Sequence, residues 1–281
     1  MGVNMNIKII VITGLIVLSI IIYCYIQISH FIVKKPIFYS NKLSNDIRIT
    51  QISDYHGNKN INFGVLINKV IEFNPHIIAL TGDIIDGKSK DKDMEYSLDL
   101  INRLTEINKD IFFVAGNHEL KSLYGDEFIY KIKDMGIMTL DNKYINIDIE
   151  ENSINILGLE FFAFKSDYEE IIAKVNPQNY TILLSHAPNR AISYSLGLED
   201  LILSGHTHGG QIRLPFIGAI VAPGQGLLPK YDKGVFDLDD TILYIDSGLG
   251  NSILPIRFFN PVQISNITIK PKNNYNVIFS T

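Results

Sequence analysis

The sequence predicts an α/β fold that follows one membrane-spanning helix. Three observations carry this prediction: an uncharged apolar segment near the N-terminus, short apolar runs that alternate with helical patterns, and a later pair of segments with period-two alternation. With 281 residues, the chain is long enough to bury the core of one large domain or two small ones. Its 46% hydrophobic and 20% charged residues are ordinary for a globular protein, so disordered and collagen-like classes are excluded.

Charge and cysteine content exclude further classes of protein. The formal net charge of -5 offers no basic field that would gather a nucleic-acid backbone, so nucleic acid is not an expected partner. The single cysteine, Cys24, rules out an intramolecular disulfide and a Cys-rich zinc module.

The first feature along the chain is the segment of residues 9–26, which carries no formal charge and is rich in Ile, Val and Leu. Its length is close to what a membrane-spanning helix needs. A cleaved signal peptide and a buried core helix are the alternatives. Because no A-x-A-like cleavage pattern follows the segment, an uncleaved helix is favoured. Residues 1–33 are therefore predicted to anchor the chain in the cell membrane as a single-pass protein.

The side of the membrane on which the rest of the chain lies stays open. Lys8 precedes the helix, whereas Lys34, Lys35 and Lys42 follow it, and the positive-inside rule then favours a cytoplasmic domain. In contrast, a short N-terminal anchor with nothing folded ahead of it commonly exports the chain that follows. The two signals oppose each other.

Residues 34–45 are predicted to be a linker. They include Pro36, Ser40, Asn41 and Ser44, which are residue types typical of turns and loops. The folded domain is then expected to cover residues 46–281, and no repeat or low-complexity tract divides it.

Within this domain, predicted strands and helices alternate. Five short apolar or alternating runs that end in polar residues are predicted strands: residues 47–52, 77–80, 111–114, 181–184 and 201–203. Apolar residues recur every three or four positions in residues 65–73 and 94–107, which predicts two helices between the early strands. This order indicates an α/β domain.

A change to antiparallel pairing is expected later in the chain. Residues 144–149 and 154–159 both alternate apolar and polar side chains around the polar tetrapeptide Glu150-Glu151-Asn152-Ser153, which predicts a hairpin. Residues 235–270 are again typical of strands. A second sheet is therefore expected.

Polar side chains able to bind metal ions follow each of the five predicted strands. They are Asp54 and His56, then Asp83 and Asp86, then Asn117 and His118, then His186, and finally His206 and His208. Ligands bind outside the carboxyl ends of strands in open α/β sheets, so five segments would deliver these groups to one edge. Each pattern alone has an ordinary explanation, such as a turn, a helix cap or a hydrogen-bonded structural histidine. Their joint occurrence in this order favours a metal centre.

The residue types also narrow the choice of metal. Imidazoles and carboxylates without a thiolate suit Mn, Fe or Zn. Two cations held close together need a shared ligand, and a carboxylate such as Asp83 can bridge them where an imidazole cannot. Asn117 would supply a neutral oxygen. Gly82, Gly116 and Gly205 fit sharp turns where the backbone leaves a strand beneath a bound ion.

This series of motifs resembles the calcineurin-like metallophosphoesterase superfamily. The motifs are Asp54-x-His56, Gly82-Asp83-x-x-Asp86, Gly116-Asn117-His118-Glu119, His186 and Gly205-His206-x-His208. A second set resembles the bacterial membrane-associated branch, of the YkuE and YaeI type: Gly209-Gly210-Gln211, Pro215, Gly248-Leu249-Gly250 and Pro255-Ile256-Arg257.

The resemblance implies two packed β-sheets flanked by helices, an αββα sandwich (α+β in some classifications), with two divalent metal ions at the strand ends. Carried over residue by residue, one ion would be held by Asp54, His56, Asp83 and His208, and the other by Asp83, Asn117, His186 and His206. His118 would bind a phosphoryl oxygen and protonate the leaving group without ligating a metal, and Asp86 would orient it. Two such cations would lower the pKa of a bridging water and hold a hydroxide in line with phosphorus.

Two positions depart from the family pattern. Relatives that hydrolyse phosphoprotein monoesters often carry Arg directly after the residue that matches Asp86, whereas Gly87 and Lys88 follow it here. The bidentate grip of a guanidinium on a dianionic phosphate is then absent, which disfavours a protein phosphatase and leaves diesters and pyrophosphates open. Pro261-Val262-Gln263 stands where the branch would have Pro-Glu.

The sequence therefore predicts a membrane-anchored, dinuclear-metal-dependent phosphoesterase that hydrolyses a phosphodiester or pyrophosphate bond in a small-molecule or lipid-linked substrate. A phosphomonoesterase and a catalytically inactive metal-binding membrane module are the alternatives. Several apolar residues would contact an acyl chain or pack as a core flap: Leu214, Phe216, Ile217, Leu227 and Leu228. The segment Tyr231-Asp232-Lys233-Gly234 would line the pocket or form a turn.

Overall fold

The computed structural model describes residues 2–88, 91–251 and 255–272. The helices are α1 (Gly2–Ser29), α2 (Phe63–Phe73), α3 (Asp91–Thr105), α4 (Asn117–Lys121), α5 (Gly125–Asp134), α6 (Lys165–Ile172) and α7 (Pro188–Tyr194), with a 3₁₀ turn at His208–Gly210. The first strands are β1 (Ile32–Lys34), β2 (Ile37–Ser40), β3 (Ile47–Ile52), β4 (Ile77–Leu80), β5 (Ile111–Phe113), β6 (Met138–Thr139), β7 (Lys143–Ile149), β8 (Asn152–Leu159), β9 (Tyr180–Ser185) and β10 (Leu201–Ser204). The later strands are β11 (Arg213–Leu214), β12 (Gly218–Ala219), β13 (Val221–Ala222), β14 (Gly226–Leu227), β15 (Gly234–Leu238), β16 (Thr241–Ile245) and β17 (Gln263–Pro271).

Thirteen of the described strands form two mixed sheets, and β11-β12 and β13-β14 form two small hairpins. The first has the order β1-β17-β3-β4-β5-β6, with β2 also paired to β17, and the second has the order β15-β16-β10-β9-β8-β7. Strands β3 to β6 run parallel, and so do β8, β9, β10 and β16. Parallel strands place their carboxyl ends at one edge, and this edge receives the loops that carry the predicted metal ligands.

Three apolar clusters show how the layers pack. One cluster joins inward side chains of both sheets, among them Ile49 and Phe112 of the first and Ile182 and Leu203 of the second. A second cluster lies between the first sheet and helices α2, α3 and α5, and a third lies between the second sheet and helices α6 and α7. The fold is therefore an α/β sandwich of two sheets flanked by helices, and the predicted fold class is confirmed.

The predicted elements agree closely with the observed ones. The strands over residues 47–52 and 77–80 have the observed bounds, and the other three predicted strands differ from the observed ones by one residue at one or both ends. The predicted hairpin is formed by β7 and β8, which pair antiparallel in a second sheet. Strands such as β4 and β9 are buried on both faces, so each one is a short, continuous apolar run bounded by polar residues and can be predicted from the sequence.

The segment predicted as a linker is part of the first sheet. Strand β2 pairs parallel with β17, and its alternation buries Phe38 between the sheets while Ile37 stays exposed. Leu43 joins the same apolar cluster. The linker prediction rests on the local residue types Pro36, Ser40, Asn41 and Ser44, whereas the pairing partner of β2 lies near the other end of the sequence. The linker interpretation is therefore corrected.

Helix α1 lies outside the sandwich, and its C-terminal part contacts the folded domain. Residues Met5–Ser29 are apolar and long enough to cross a membrane, and the most apolar stretch has no buried residue, which excludes the buried core helix. Near the end, the rings of Phe258 and Phe259 lie 5.3 Å and 5.8 Å from the ring of Tyr23. The amide of Asn260 also donates to Gln27 Oε1 at 2.9 Å. The helix is thus docked onto the folded domain rather than connected through a free segment.

Candidate metal centre

The seven predicted metal ligands lie in loops that leave the carboxyl ends of parallel strands in both sheets. Asp54 and His56 follow β3, Asp83 follows β4, Asn117 follows β5, His186 follows β9, and His206 and His208 follow β10. Most of them are buried, with Asp54 and His186 fully so. The structure therefore brings all seven to the edge predicted from the sequence, while their roles as ligands stay predictions.

The backbone at this edge is strained. Five of the seven residues have a left-handed backbone although none is glycine: Asp54 (φ 47°), His56 (φ 48°), Asp83 (φ 53°), His206 (φ 70°) and His208 (φ 49°). Each such residue costs on the order of 1–3 kcal/mol and persists only where the surrounding structure enforces it. The strain turns successive side chains of each loop toward the same point.

The first group of potential ligand atoms comes from both sheets. Asp54, His56 and His208 each offer one atom, and these atoms all lie within 4.8 Å of one another. His208 Nε2 is 3.4 Å from Asp54 Oδ1 and 3.3 Å from His56 Nε2. Such spacing is suited to one cation between them.

The second group is formed by Asp83, His186 and His206. His186 Nε2 lies 3.1 Å from Asp83 Oδ2 and 3.2 Å from His206 Nδ1. The same Asp83 oxygen is 3.7 Å from His56 Nε2 in the first group. Asp83 therefore stands between the two groups, where a carboxylate can contact two ions at once.

The side chain of Asn117 tests whether a metal ion fits here. It is 8% exposed, and its Oδ1 atom has no hydrogen-bond partner among the described residues. Its neighbours Gly116 and His118 both lie against Asp83. A buried oxygen left unpaired costs about 1–3 kcal/mol, and a divalent cation is a partner that would satisfy it. The donor set of oxygens and imidazole nitrogens fits two divalent ions.

Two glycines permit the close approach of these loops. Gly82 has φ 84°, and a Cβ atom there would lie 2.8 Å from His186 Nδ1. A Cβ at Gly116 would collide with the Asp83 carboxylate. Both positions therefore require glycine, as the sharp turns predicted from the sequence imply.

Hydrogen bonding sets the orientation and charge of His186. Its Nδ1 lies 2.7 Å from the carbonyl oxygen of Thr81, so this nitrogen donates and Nε2 faces Asp83. Burial lowers the pKa of His186, but the Asp83 charge outweighs burial and raises the pKa to about 10. Without a metal, this histidine is therefore a cation paired with Asp83. A backbone carbonyl that orients a histidine in this way is typical of metal ligands.

The other three histidines among the predicted ligands, His56, His206 and His208, are held neutral at physiological pH. Burial lowers the pKa of His56 to about 4, and burial with the nearby His186 charge lowers that of His206 to about 3. Burial also lowers the pKa of His208. Neutral imidazole is the form that binds a metal ion, so these three side chains are ready to coordinate. Burial raises the pKa of Asp54 to about 7.

Comparison with known proteins agrees with this geometry. Residues 47–210 match the family described as calcineurin-like phosphoesterase, a stretch that contains every predicted metal ligand. The chain belongs to this family. It is 31% identical over 232 residues to YkuE of Bacillus subtilis, described as an uncharacterized metallophosphoesterase, and the match covers 80% of both chains. It is 34% identical to the metallophosphoesterase Cj0846 of Campylobacter jejuni, with 82% of this chain but only 61% of that protein covered.

Among solved structures, the NAD nucleotidase of Haemophilus influenzae shares the fold. It superposes with a TM-score of 0.50 at 16% identity, over 73% of this chain and 45% of that one. The family and the geometry together identify the protein as a metal-dependent phosphoester hydrolase with a site suited to two metal ions.

In this phosphoesterase, His118 forms a third group of potential ligand atoms with His56 and Asp83, which belong to the first and second groups. Its Nε2 is 3.9 Å from Asp83 Oδ2, and its side chain is partly exposed toward the opening of the site. The amide of Gly87 donates to Nδ1 at 2.8 Å, which places the proton of the neutral ring on Nε2. Asp86, predicted to orient His118, has Oδ2 at 4.0 Å from Nδ1, beyond hydrogen-bonding distance. The Gly87 amide thus contacts the ring directly, and the orienting role of Asp86 stays a prediction.

Glu119 has no role predicted from its sequence pattern, yet its carboxylate organises the loop of the phosphoesterase that carries Asp83. Glu119 is buried and accepts hydrogen bonds from the amides of Asp83 (2.8 Å), Ile84 (2.6 Å), Ile85 (3.1 Å) and Gly116 (2.9 Å). Burial and the Asp83 charge raise its pKa to about 7. Its place in the motif Gly116-Asn117-His118-Glu119 was the available signal.

Arg257 is a second missed residue. It is fully buried, and its guanidinium donates to the carbonyls of Ser247 (2.5 Å), Gly248 (3.3 Å) and Gly250 (2.6 Å). The amide of Gly250 in turn donates to the carbonyl of Asp54 at 2.6 Å. Arg257 thus supports the loop that fixes Asp54. Only its membership in the tail motif hinted at importance.

Proposed function

We propose that this phosphoesterase is anchored in a membrane by α1 and hydrolyses a phosphodiester or pyrophosphate bond, with two divalent ions that the predicted ligands would hold. The single observation that carries the dinuclear site is the position of Asp83 Oδ2, at 3.1 Å from His186 Nε2 and 3.7 Å from His56 Nε2. One shared carboxylate between two sets of ligands is how two cations are held close together.

The bound ions would supply Lewis acidity and a lowered pKa for an attacking water. The other parts of the reaction fall to the chain itself. His118 Nε2 lies beside the predicted ligands, so the imidazolium form of the ring, with a proton on Nδ1 in place of the bond from the Gly87 amide, is the form that would protonate the leaving oxygen and return to neutral imidazole. The carboxylate of Glu119 and the guanidinium of Arg257 hold the ligand loops in position.

The preference for a diester or pyrophosphate rests on position 87. Gly87 presents only a backbone amide, and that amide is engaged with His118 Nδ1. A guanidinium that would grip the second charge of a phosphomonoester is absent at that position. A phosphomonoesterase is the second candidate, because Lys88 lies beside His56 and Asp86 along the same opening and offers a monovalent contact. The natural substrate is proposed to be a small or lipid-linked phosphoester.

The test is hydrolysis of bis(p-nitrophenyl) phosphate and p-nitrophenyl phosphate by the full chain in detergent. The protein is stripped of metal and then given Mn²⁺, Zn²⁺ or Mg²⁺. The full chain is used because β1 pairs with β17 and α1 docks on Phe258, so a truncated domain would lose native contacts. Metal-restored cleavage of the diester is expected.

Asp83→Ala should abolish this cleavage, whereas Asp148→Ala, an exposed carboxylate on β7, should leave it unchanged. Cleavage of the monoester alone would replace the proposal by the phosphomonoesterase. No cleavage of either ester with any metal, in protein that binds two ions, would favour the inactive metal-binding module.

A further inference from the structure

Directly after the metal centre, the chain forms a small apolar ribbon, residues 211–228, which contains strands β11 to β14. Its two hairpins pair only within themselves among the described residues, apart from one bridge between Ile212 and Phe258. Seven large apolar side chains of the ribbon are exposed: Ile212, Leu214, Phe216, Ile217, Val221, Leu227 and Leu228. Phe216 is fully exposed and Leu227 is 77% exposed. The ribbon is therefore not the packed flap that was one of the two expectations.

The position of the ribbon is tied to α1 through Phe258 and Phe259. Phe258 shares two backbone hydrogen bonds with the ribbon, donating to the Gln211 carbonyl and accepting from the Arg213 amide. Phe259 is half exposed, and both rings contact Tyr23. These two rings and one face of α1 from Ile12 to Tyr23 line an apolar groove of about 560 Å³.

The length of α1 determines whether that groove lies within the membrane. A helix needs about 20 residues to cross the hydrocarbon of a bilayer. A span of about 20 residues placed anywhere within Met5–Ser29 starts between residues 5 and 10 and ends between residues 24 and 29. Residues 10–24 lie inside the membrane in every case, and so do Ile12 and Tyr23. Phe258 and Phe259, which contact this part of the helix, must then lie at the depth of the bilayer as well.

Cations lie near the end of α1, beside the apolar ribbon. Lys34, Lys35, Arg213 and Lys233 line one cavity of about 430 Å³. The adjacent carboxylate, Asp232, is engaged by Arg213 at 2.6 Å, which leaves the cavity with an excess of positive charge. The aromatic and aliphatic side chains would lie at the depth of the hydrocarbon, and the cations would lie next to them at the depth of the lipid headgroups. This arrangement is typical of proteins at a membrane interface.

We infer that Phe258, Phe259 and the apolar ribbon enter the lipid bilayer beside α1, and that the cavity of Lys34, Lys35, Arg213 and Lys233 receives the anionic headgroup of a lipid. The inference rests on the membrane anchoring in the proposed function. It extends that proposal because the metal centre then lies against the membrane: His208 and the ribbon residues Val221 and Pro223 line one shared cavity. The folded domain is held at the bilayer surface by two contacts rather than by one helix.

The test uses tryptophan as a reporter of bilayer depth, since the chain has no tryptophan of its own. Phe259→Trp and Phe216→Trp are made separately in the full chain and reconstituted into nanodiscs of brominated phosphatidylcholine or of its unbrominated counterpart. Bromine quenches only those indoles that reach the acyl chains. Both variants are expected to lose fluorescence in the brominated discs.

Two further variants make the result decisive. Tyr130→Trp is an exposed aromatic on α5, next to β6 at the sheet edge opposite β1, and it should not be quenched. Leu18→Trp lies within α1 and reports the span itself. If Leu18→Trp is not quenched, the anchoring in the proposed function fails. If Leu18→Trp is quenched while Phe259→Trp and Phe216→Trp behave like Tyr130→Trp, only this inference is overturned.

The headgroup cavity is tested in the same discs. Part of the brominated phosphatidylcholine is replaced by brominated phosphatidylglycerol, so that the total bromine content stays the same. This replacement should increase quenching of Phe216→Trp, and the added double substitution Lys34→Ala/Lys35→Ala should remove that increase. Lys165→Ala/Lys174→Ala is the matched control and should retain it, since these two exposed lysines lie at the start of α6 and two residues beyond its end. An increase that persists without Lys34 and Lys35, or no response to phosphatidylglycerol, would overturn the headgroup assignment. Diester hydrolysis by each variant separates these outcomes from loss of the metal centre.

Discussion

The metal centre and the apolar ribbon adjoin at His208–Gly210, yet they differ in what holds their backbones. Both contain left-handed residues that are not glycine, such as Asp83 (φ 53°) in the centre and Phe216 (φ 67°) in the ribbon. Asp83 is buried, and its amide donates to the carboxylate of Glu119. Phe216 is fully exposed in the three-residue loop, residues 215–217, between β11 and β12. The centre is organised by the protein interior. The ribbon exposes apolar side chains, which suits an apolar environment better than water.

The largest effect is expected at the carboxylate between the two ligand groups. Asp83→Ala should reduce metal content from two ions per chain to nearly none, because both groups lose their shared ligand. Metal analysis of purified protein measures this directly. Leu227→Ala in the ribbon should keep two ions. Retention of two ions by Asp83→Ala would reject the bridging role.

The second effect separates chemistry from metal binding. His118→Ala should keep its ions but lose about 10²–10⁴-fold in turnover of a phenyl diester, whose leaving group needs a proton. The loss should be much smaller with a p-nitrophenyl diester, which leaves without protonation. His76→Ala, remote from the ligand loops, is the control. Equal turnover of the phenyl diester by His118→Ala and the unmodified chain would remove His118 from the proton-transfer step.

The third effect concerns a residue that supports the centre without facing a metal. Glu119→Gln keeps an acceptor but loses the negative charge that holds four amides, so the Asp83 loop should loosen. Metal affinity is expected to fall about 10–100-fold, as is typical when a group supporting a ligand is changed. Titration with Mn²⁺ measures it, with the exposed Glu127→Gln as the matched control. An unchanged affinity would show that the loop is set by other contacts.

The predicted ligands and the residues that support them differ in how well the sequence could predict them. The strands, the hairpin and the ligand loops follow from local patterns, because each buried strand is a short apolar run and each ligand directly follows one. Glu119 and Arg257 were missed as structural supports because their partners are backbone groups of other loops. A carbonyl or an amide carries no side-chain signature. Strand β2 was missed for a similar reason, since pairing with β17 is visible only once the sheet has formed.

The fourth effect follows from the charge of His186 before metal binds. The pKa of about 10 means that this ring is protonated below pH 10, whereas a ligand nitrogen must be neutral. Binding of Mn²⁺ at pH 8 should therefore release at least about one proton per chain, with a second where the bound water also ionises, and affinity should rise about tenfold or more per pH unit. Asp54, with a pKa of about 7, is mostly ionised at pH 8 and adds little. Calorimetry in buffers of different ionisation enthalpy counts the protons, and a count of zero would contradict the His186–Asp83 ion pair.

The smallest effect on a soluble substrate is expected in the ribbon. Leu227→Ser/Leu228→Ser removes two exposed apolar side chains that contribute little to the core, and surface changes of this kind usually alter stability by less than about 0.5 kcal/mol each. Hydrolysis of bis(p-nitrophenyl) phosphate in detergent should therefore stay within about twofold of the unmodified chain, since that substrate needs only the metal centre. A large loss in detergent would mean that the ribbon shapes the centre itself, through the cavity that His208 shares with Val221 and Pro223. The metal centre and the ribbon would then differ in solvent exposure but would both contribute to hydrolysis.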